Sequence, residues 1–261
     1  MKMNDQVIRI EGVSKTFGKG DREVVALNEV DLAFRDGEFA VLIGPSGCGK
    51  STLLYLMAGF ESPTTGQILL DGNEIRRPGP DRGFVFQDYA LFPWKTVLGN
   101  VMFGLRRTGA SHADAKRIAM DHIRMVHLQG FEHAYPHTLS GGMKQRVGIA
   151  RALAYDPKVL LMDEPFGALD AQTRKLMQQE MVSIWEAARK TVVFVTHSVI
   201  EAVYLADRIV VMTARPGSVK GIVDVDVPRP RKYTEEHYLH IREAVLSLLE
   251  EEVAKSAEAL A

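Results

Sequence analysis

The sequence predicts an α/β fold with a doubly wound core, an antiparallel β layer and an inserted helical subdomain. Three observations support this prediction. A glycine-rich loop at 44–52 (GPSGCGKST) joins an apolar run at 39–43 to a helix-forming run at 51–58. After position 158, short apolar runs alternate with helical patterns, which is typical of a parallel sheet covered by helices. Between about 88 and 157, helical periodicity replaces the strand signals.

These patterns divide the chain into three parts. We expect residues 1–87 and 158–227 to form the α/β core with its antiparallel layer. Residues 88–157 are predicted to form the helical subdomain, and residues 228–261 a linker followed by a C-terminal helix.

The N-terminal strands justify the antiparallel layer. Residues 7–17 and 24–34 have the composition of strands, and Gly18, Gly20 and Asp21 supply a turn between them. A further strand at 67–70 ends in the turn sequence Asp71-Gly72. Gly59 is expected to end the helix that follows the glycine-rich loop.

The later elements alternate in type. Amphipathic helices are predicted at 97–105, 113–126 and 141–154, after a short strand at 83–86. The apolar run at 159–162 is typical of a strand buried on both faces. The remaining predicted elements are a helix at 171–188, a strand at 191–196, a helix ending at 206 and a strand at 208–213.

Polar residues stand where the core strands end, namely Gln87, Asp163, Glu164 and His197. Ligands of doubly wound sheets bind at the carboxyl ends of the strands. We therefore expect these four side chains to converge with Lys50 of the glycine-rich loop.

The composition excludes several classes of protein. With 261 residues, 46% hydrophobic and 25% charged, the chain has the content of a globular protein, and a net charge of -1 gives no overall attraction to nucleic acid or an anionic bilayer. A single cysteine excludes an internal disulfide framework and fits a reducing compartment. No run approaches the roughly 18 apolar residues of a membrane-spanning helix, and the N-terminus lacks the apolar segment of a secretory signal. We expect a soluble protein that reaches a membrane only through a partner.

The glycine-rich loop matches the pattern G-x-x-x-x-G-K-[ST] of phosphate-binding loops, with a strand before it and a helix after it. Inward-pointing backbone N–H groups and the positive end of the helix make an anion site there. Lys50 would reach the β- and γ-phosphates of a nucleotide, and the Ser51 hydroxyl would bind Mg²⁺. The alternative is a glycine-rich turn without a ligand. The predicted nucleotide contacts of the loop are Gly44, Pro45, Ser46, Gly47, Cys48, Gly49, Lys50, Ser51 and Thr52.

The polar residues at the strand ends suit phosphoryl transfer to water, which needs a cation and an oriented water. Asp163 is predicted to hold Mg²⁺ through a water, and Glu164 to act as general base. An acidic pair at this position is otherwise a helix cap or a salt bridge. Gln87 is a candidate contact of Mg²⁺ or the water and His197 of the γ-phosphate, although each could also be an ordinary hydrogen-bonded residue. Phe17 is either a ring that stacks on the base or a core phenylalanine.

A second glycine-bearing helix start lies at 139–146 (LSGGMKQR). Ser140, Gly141 and Gly142 can bind an anion there through the hydroxyl and the backbone amides. Because this segment is inside the helical region, we expect the phosphate loop of the same chain to lie too far away to use it. A site completed by a second copy of the chain would make ATP the link between two protomers.

Taken in order, these segments resemble the ATP-binding subunit of an ABC transporter. The resemblance covers roughly residues 7–217 and implies a P-loop NTPase core, ATP and Mg²⁺ as ligands, and ATPase activity. Phe17 stands where tyrosine is commoner in the family. The segments FQDYALFPW (86–94), SVIEAVYLADRIVVM (198–212) and TARPG (213–217) resemble the branch that imports nitrate, sulfonate, taurine and similar small anions. The matching motifs are Walker A at 44–51, Gln87, LSGGMKQR at 139–146, LLMDE at 160–164, GALD at 167–170 and His197.

The resemblance also implies partners. Two copies would pack head to tail, with each ATP between one Walker A loop and Ser140 and Gly142 of the other copy, and with Asp170 at the seam. The segment from Leu91 to Trp94 would meet a membrane permease, unless Trp94 is a buried loop aromatic. Dimer closure would drive the permease outward-facing, and hydrolysis would reset it.

The same resemblance implies a location and leaves alternatives. A solute-binding protein would be an indirect partner, nucleic acid would not be a partner, and the chain would lie on the cytoplasmic face of the inner (plasma) membrane. The alternatives are an exporter or lipid-trafficking ATPase, or a soluble ABC ATPase without a transport role.

Two further features lead to weaker expectations. Cys48 lies near a helix start, where its thiolate is expected to be favoured and to react with maleimide. Arg229, Arg231 and Lys232 are interpreted as a solvated linker, with a contact to a membrane surface or permease as the alternative.

Overall fold

A computed structural model describes residues 6–105 and 109–258 of the chain. The chain divides into two compact units, one from Met1–Gly79 and Thr191–Ala261 and the other from Pro80–Lys190. None of the helices in the described ranges has the length and apolar content needed to cross a membrane.

The N-terminal part of the first unit carries the predicted antiparallel layer. Strands β2, β1, β4 and β5 lie in this order in one antiparallel sheet. Asp71 and Gly72 have φ values of 48° and 78°, which suits the tight hairpin turn between β4 and β5. The predicted strands at 7–17, 24–34, 39–43 and 67–70 are confirmed. The elements are β1 (Gln6–Phe17), β2 (Val24–Arg35), β3 (Phe39–Ile43), α1 (Lys50–Ala58), β4 (Thr65–Leu70) and β5 (Asn73–Glu74).

The second unit carries the helices predicted between 88 and 157 and the strands on either side of them. Strands β6 and β7 pair in parallel, with Gly83 opposite Leu160. All five residues of β7 are buried, as its apolar sequence predicts. The boundaries of a separate helical subdomain stay a prediction. The elements are β6 (Arg82–Val85), α2 (Val97–Leu105), α3 (His112–Met125), α4 (Gly141–Leu153), β7 (Val159–Asp163) and α5 (Ala171–Ala188).

The C-terminal part of the first unit completes the sheet around β3. Strands β8 and β9 flank β3 in parallel, and β10 pairs antiparallel with β9. Every residue of β3, β8 and β9 is buried, so the core of this unit lies around these strands. The α/β prediction is confirmed, and β10 is an additional strand that the sequence analysis missed. The elements are β8 (Thr191–Val195), α6 (Val199–Leu205), β9 (Arg208–Met212), β10 (Val219–Asp224) and α7 (Glu236–Glu258).

The segment after Pro228 differs from the predicted solvated linker. Arg231 is only 5% exposed, and burial lowers the pKa of its guanidinium to about 10. Arg229 forms an ion pair of 2.6 Å with Asp207. Only Lys232, with 75% of its side chain exposed, fits the prediction.

The position of Arg231 explains its burial. Its guanidinium donates to the carbonyl oxygens of Val203 and Tyr204 in the last turn of α6, and to that of Ala206 just beyond. It also donates to the carbonyl oxygen of Val225. The last carbonyls of a helix lack partners within the helix and attract cations. Arg231 therefore closes the end of α6 rather than contacting solvent.

We predict that Arg231→Ala lowers the free energy of unfolding by roughly 3 kcal/mol, because it leaves several buried carbonyls without a hydrogen-bond partner. Lys232→Ala is the matched control and should change the free energy by less than about 0.5 kcal/mol. Urea unfolding measures both. Equal midpoints for Arg231→Ala and the unchanged protein would show that these contacts contribute nothing to stability.

Cys48 is buried, with 0% of the residue exposed. Burial raises the pKa of its thiol, although Lys50 acts in the opposite direction from a distance of 3.6 Å between Nζ and Sγ. The prediction of a favoured thiolate is therefore wrong. The increase in the thiol pKa that desolvation causes is larger than the decrease that the helix start and the lysine cause.

We predict that Cys48 reacts slowly with maleimide at pH 8 in the folded protein, because the thiol is inaccessible and its thiolate fraction is low. In denaturing urea the rate should rise to that of an unstructured cysteine peptide, which is the control. Complete labelling of the folded protein at the peptide's rate would contradict this burial.

Candidate functional site

The glycine-rich loop has a backbone path that side chains would obstruct. Gly47 and Gly49 have φ values of 76° and 92°, a region that residues with a Cβ rarely adopt. A Cβ on Gly49 would lie 2.6 Å from Leu27 Cδ2, and one on Gly44 would lie 2.8 Å from Cys48 Sγ. The loop therefore keeps its shape only with glycine at these positions. A loop without side chains at these positions lets phosphate oxygens come close to the backbone N–H groups.

Lys50 is folded over this loop at the first turn of α1. Its Nζ donates to the carbonyl oxygens of Gly44 at 2.9 Å and Pro45 at 3.0 Å, and the residue is 6% exposed. The ammonium group is thus fixed within the loop by the loop's own carbonyls. Ser51 and Thr52 follow on α1 with half-buried side chains, while Ser46 and Gly47 form the exposed tip.

Two more predicted site residues lie in the same unit as the loop. Phe17 ends β1 with 40% exposure, so the alternative of a core phenylalanine does not fit. Lys15 Nζ lies 4.8 Å from the centroid of its ring. His197 is exposed and stands between the end of β8 and Ser198, the cap of α6.

Gln87 and Glu164 are brought together in the second unit, because each follows one of the paired strands β6 and β7. Both side chains lie against Gly167: a Cβ there would be 3.3 Å from Gln87 Nε2 and 3.8 Å from Glu164 Oε2. Asp163, the last residue of β7, is 7% exposed. Glu164 has a φ of 42°, a conformation that is uncommon outside glycine and concentrates at functional sites.

Ser140 begins α4 as its N-terminal cap. Its exposed hydroxyl accepts a hydrogen bond from Met143 N at 3.3 Å. Gly142 lets α4 start close to α5, since a Cβ there would lie 3.0 Å from Thr173 Cγ2. Gly141 is half-buried beside Ser140. The helix start thus presents an exposed hydroxyl, and the first backbone N–H groups of a helix have no partner within the helix, which suits anion binding.

Asp170 caps α5, the neighbour of α4. Its Oδ1 accepts from the backbone N–H groups of Gln172 and Thr173. The Thr173 side chain, followed by these amides, lowers the pKa of the Asp170 carboxyl. The aspartate therefore favours its ionised form at the start of α5, the helix whose Thr173 lies against Gly142 at the start of α4.

The segment that follows Gln87 is fixed by residues that the sequence analysis did not single out. Arg151 donates to the carbonyl oxygens of Tyr89 and Ala90, and both of these residues have positive φ. The buried Asn100 accepts from Phe92 N and donates to Phe92 O. No local sequence pattern predicts these hydrogen bonds, because the two residues that each one joins lie eight to 62 positions apart.

Trp94 lies at the end of this fixed segment and is 70% exposed. The alternative of a buried loop aromatic is therefore wrong. Its ring centroid lies 5.7 Å from that of Phe92. The large ring of Trp94 is therefore exposed to solvent close to Phe92, whose backbone is fixed by Asn100.

The three side chains predicted to hold Mg²⁺ have the chemistry that this cation requires. Ser51, Gln87 and Asp163 offer the oxygen ligands that Mg²⁺ prefers, and the cation usually keeps several waters and substrate phosphates as its other ligands. Within the described ranges, no group of three or more histidines, cysteines and carboxylates is placed to hold a metal by itself. The convergence of Lys50 and His197 with Gln87, Asp163 and Glu164 stays a prediction.

Comparison with known proteins agrees with these motifs. The family model of the ABC transporter matches residues 27–167. An uncharacterized ABC transporter ATP-binding protein of Methanocaldococcus jannaschii is 53% identical over 95% of this chain and 93% of its own. The aliphatic sulfonates import ATP-binding protein of Bacillus cereus is 45% identical over 93% of this chain and 96% of its own. The nitrate import ATP-binding protein of Synechococcus elongatus is 46% identical over 88% and 85%, respectively.

Solved structures show the same fold. A dimeric ATP-binding cassette in a post-hydrolysis state with ADP and phosphate has a TM-score of 0.73 and 33% identity, and the match covers 85% of this chain and 100% of that one. The protein cbiO1 of Clostridium perfringens, part of the ABC transporter complex cbiONQ, has a TM-score of 0.76 and 26% identity, and the match covers 85% of this chain and 89% of that one. The family match spans just over half of the chain, and the relatives span most of it. The chain therefore belongs to the ABC transporter family and is one of its ATPases.

Proposed function

We propose that this chain is the ATP-hydrolysing subunit of an importer for a small anion such as a sulfonate or nitrate. The observation that carries the proposal is the 45–46% identity, over most of the chain, to proteins named for sulfonate and nitrate import. The chain would act on the cytoplasmic face of the membrane with a separate permease, to which a solute-binding protein delivers the solute.

The phosphate loop is proposed to bind the nucleotide. The backbone N–H groups of the loop bind the phosphates. Lys50, whose ammonium group is bonded to two loop carbonyls in this structure, turns toward the β- and γ-phosphates when the nucleotide binds. The exposed ring of Phe17 stacks on the base. Ser51, Gln87 and Asp163 hold Mg²⁺, which neutralises phosphate charge. The full set of nucleotide contacts is Phe17, Gly44, Pro45, Ser46, Gly47, Cys48, Gly49, Lys50, Ser51, Thr52, and Ser140, Gly141 and Gly142 of a second copy.

Glu164 is proposed as the general base that takes a proton from the attacking water. Its carboxylate lies beside the Gln87 amide at Gly167, so the amide can orient the same water. His197 would donate a hydrogen bond to the γ-phosphate. Glu164 leaves the extended backbone of β7 with a φ of 42°, and we propose that its side chain thereby points away from that of Asp163, so that the base and the metal ligand are separate.

A second copy is proposed to complete each site. Ser140 presents its hydroxyl at an exposed helix start, where the γ-phosphate of a nucleotide held by another protomer can bind. The ionised Asp170, on the neighbouring helix, would lie at the seam. The dimeric state of the related cassette with ADP and phosphate supports this arrangement.

The exposed ring of Trp94 is proposed as the contact with the permease. It stands on the segment from Leu91, in which Asn100 hydrogen-bonds both backbone groups of Phe92, so a partner that binds the ring would contact a backbone that is fixed locally. Large exposed aromatics on fixed backbone are typical anchors of protein interfaces.

We predict that Glu164→Gln lowers ATP turnover by at least about 100-fold, because the amide cannot accept the proton of the attacking water. The variant should accumulate as a dimer in Mg-ATP on size-exclusion chromatography. Glu186→Gln, an exposed glutamate of α5, is the matched control and should turn over normally. A Glu164→Gln variant that stays monomeric with full turnover would contradict the role of Glu164.

The importer proposal is tested by reconstitution with the permease and a binding protein in vesicles. Sulfonate, taurine or nitrate should stimulate ATP turnover, and Trp94→Ala should abolish the stimulation while the isolated subunit still hydrolyses ATP. Phe60→Ala, which removes another exposed ring, is the control. Solute-independent turnover with all three anions, or full stimulation in Trp94→Ala, would argue against the proposal.

A further inference from the structure

The loop at 213–217 is packed directly against the phosphate loop. Gly217 N donates to Ala26 O at 3.0 Å, and Asn28 N donates to Gly217 O at 2.9 Å. A Cβ on Gly217 would lie 2.0 Å from the carbonyl oxygen of Cys48. The backbone of Gly217 therefore fills the space between β2 and the phosphate loop, and no other residue fits there.

Arg215 extends this contact to the exposed tip of the phosphate loop. Its Nε donates to Gly47 O at 3.4 Å. A Cβ on Gly47 would lie 3.1 Å from its Nη2. The loop that should receive the phosphates is thus supported at two points, by Gly217 at Cys48 and by Arg215 at Gly47.

The 213–217 loop is in turn held by the C-terminal helix. Glu252 of α7 accepts a hydrogen bond from Ala214 N at 2.9 Å. Its other carboxylate oxygen lies 3.1 Å from Lys220 Nζ on β10, and the residue is 1% exposed. Burying a carboxylate is costly unless charged and hydrogen-bonding partners compensate. The structure places this charge where it fixes the residue next to Arg215.

We propose that Glu252 is a positioning residue for nucleotide binding, which acts through the 213–217 loop to hold the phosphate loop in its binding conformation. The proposal rests on the nucleotide-binding role given above to the phosphate loop. It assigns a function to the C-terminal helix, which becomes a support of the nucleotide site.

The physical reason is preorganisation. The phosphate loop contains three glycines between positions 44 and 49, so its backbone has many alternative conformations when unsupported. Binding a phosphate requires several N–H groups to point at one place, and ordering a free loop on binding weakens affinity. Loss of the support should therefore change the affinity for nucleotide, while the chemical step, which uses Glu164, is spared.

The test measures Mg-ADP binding to the full chain by titration calorimetry, since ADP is not hydrolysed. Glu252→Ala should raise the Kd about tenfold, and its effect on ATP hydrolysis should fall on KM rather than kcat. Glu251→Ala is the matched control. Glu251 shares the Lys220 partner at 2.6 Å, but 59% of its side chain is exposed, so its Kd should stay within about twofold of the unchanged protein.

Two further variants separate positioning from simple destabilisation. Glu252→Gln keeps an oxygen that can accept from Ala214 N, so it should bind Mg-ADP more tightly than Glu252→Ala. Arg215→Ala, at an exposed residue, should also weaken binding. The double variant Arg215→Ala with Glu252→Ala should be little weaker than Glu252→Ala alone, because both act through one loop.

The outcomes are distinguishable. If Lys50→Ala loses Mg-ADP binding but Glu252→Ala and Arg215→Ala bind as the unchanged protein does, the positioning role is overturned and the phosphate loop keeps its function. If Lys50→Ala binds normally, the role of the phosphate loop itself is overturned. If Glu252→Ala does not fold in a thermal melt, Arg215→Ala decides, and unchanged binding in that variant rejects the proposal.

Discussion

The close approach of backbone to backbone at the phosphate loop is the constraint on which the rest of this structure depends. Gly49 lies against Leu27 of β2, and Gly217 lies against the carbonyl of Cys48, in both cases with no space for a Cβ. These contacts restrict the loop to one backbone conformation. In that conformation Lys50 donates hydrogen bonds to the carbonyl oxygens of Gly44 and Pro45. A substitution that adds one methyl group at either glycine would move the loop, and with it every candidate phosphate contact of the first unit.

Much of this fold could be predicted from sequence, because its core strands are continuous apolar runs bounded by glycine, aspartate or helix-capping residues. Strands β3, β7 and β8 lie close to their predicted positions for this reason. Strand β10 was missed, since Lys220 and Gly221 interrupt its apolar pattern. The burial of Arg231 could not be foreseen either, because the carbonyls that attract it at the end of α6 lie more than 20 residues earlier in the chain.

The candidate site also combines features that could be predicted from the sequence with features that could not. The proximity of Gln87 and Glu164 follows from parallel strands whose ends meet at one edge, and the capping role of Ser140 follows from its place just before the helix predicted at 141–154, since serine is a favoured N-terminal cap. The buried thiol of Cys48 was mispredicted, because a helix start suggests a favoured thiolate and only packing reveals the desolvation that opposes it. Glu252 bonds the backbone of Ala214, and the neighbouring Arg215 bonds that of Gly47. These hydrogen bonds join residues far apart in sequence, so no local sequence pattern predicts them.

We propose that a phosphate loop from one protomer and a Ser140 helix start from another form each hydrolytic site. Mixing two inactive variants, Lys50→Ala and Ser140→Tyr, tests it most directly. In a mixed dimer, the Ser140→Tyr protomer supplies an intact phosphate loop and the Lys50→Ala protomer an intact Ser140, so one complete site forms. We expect ATP hydrolysis, absent from either variant alone, to return on mixing. A mixture as inactive as its components, although mixed dimers form, would contradict it.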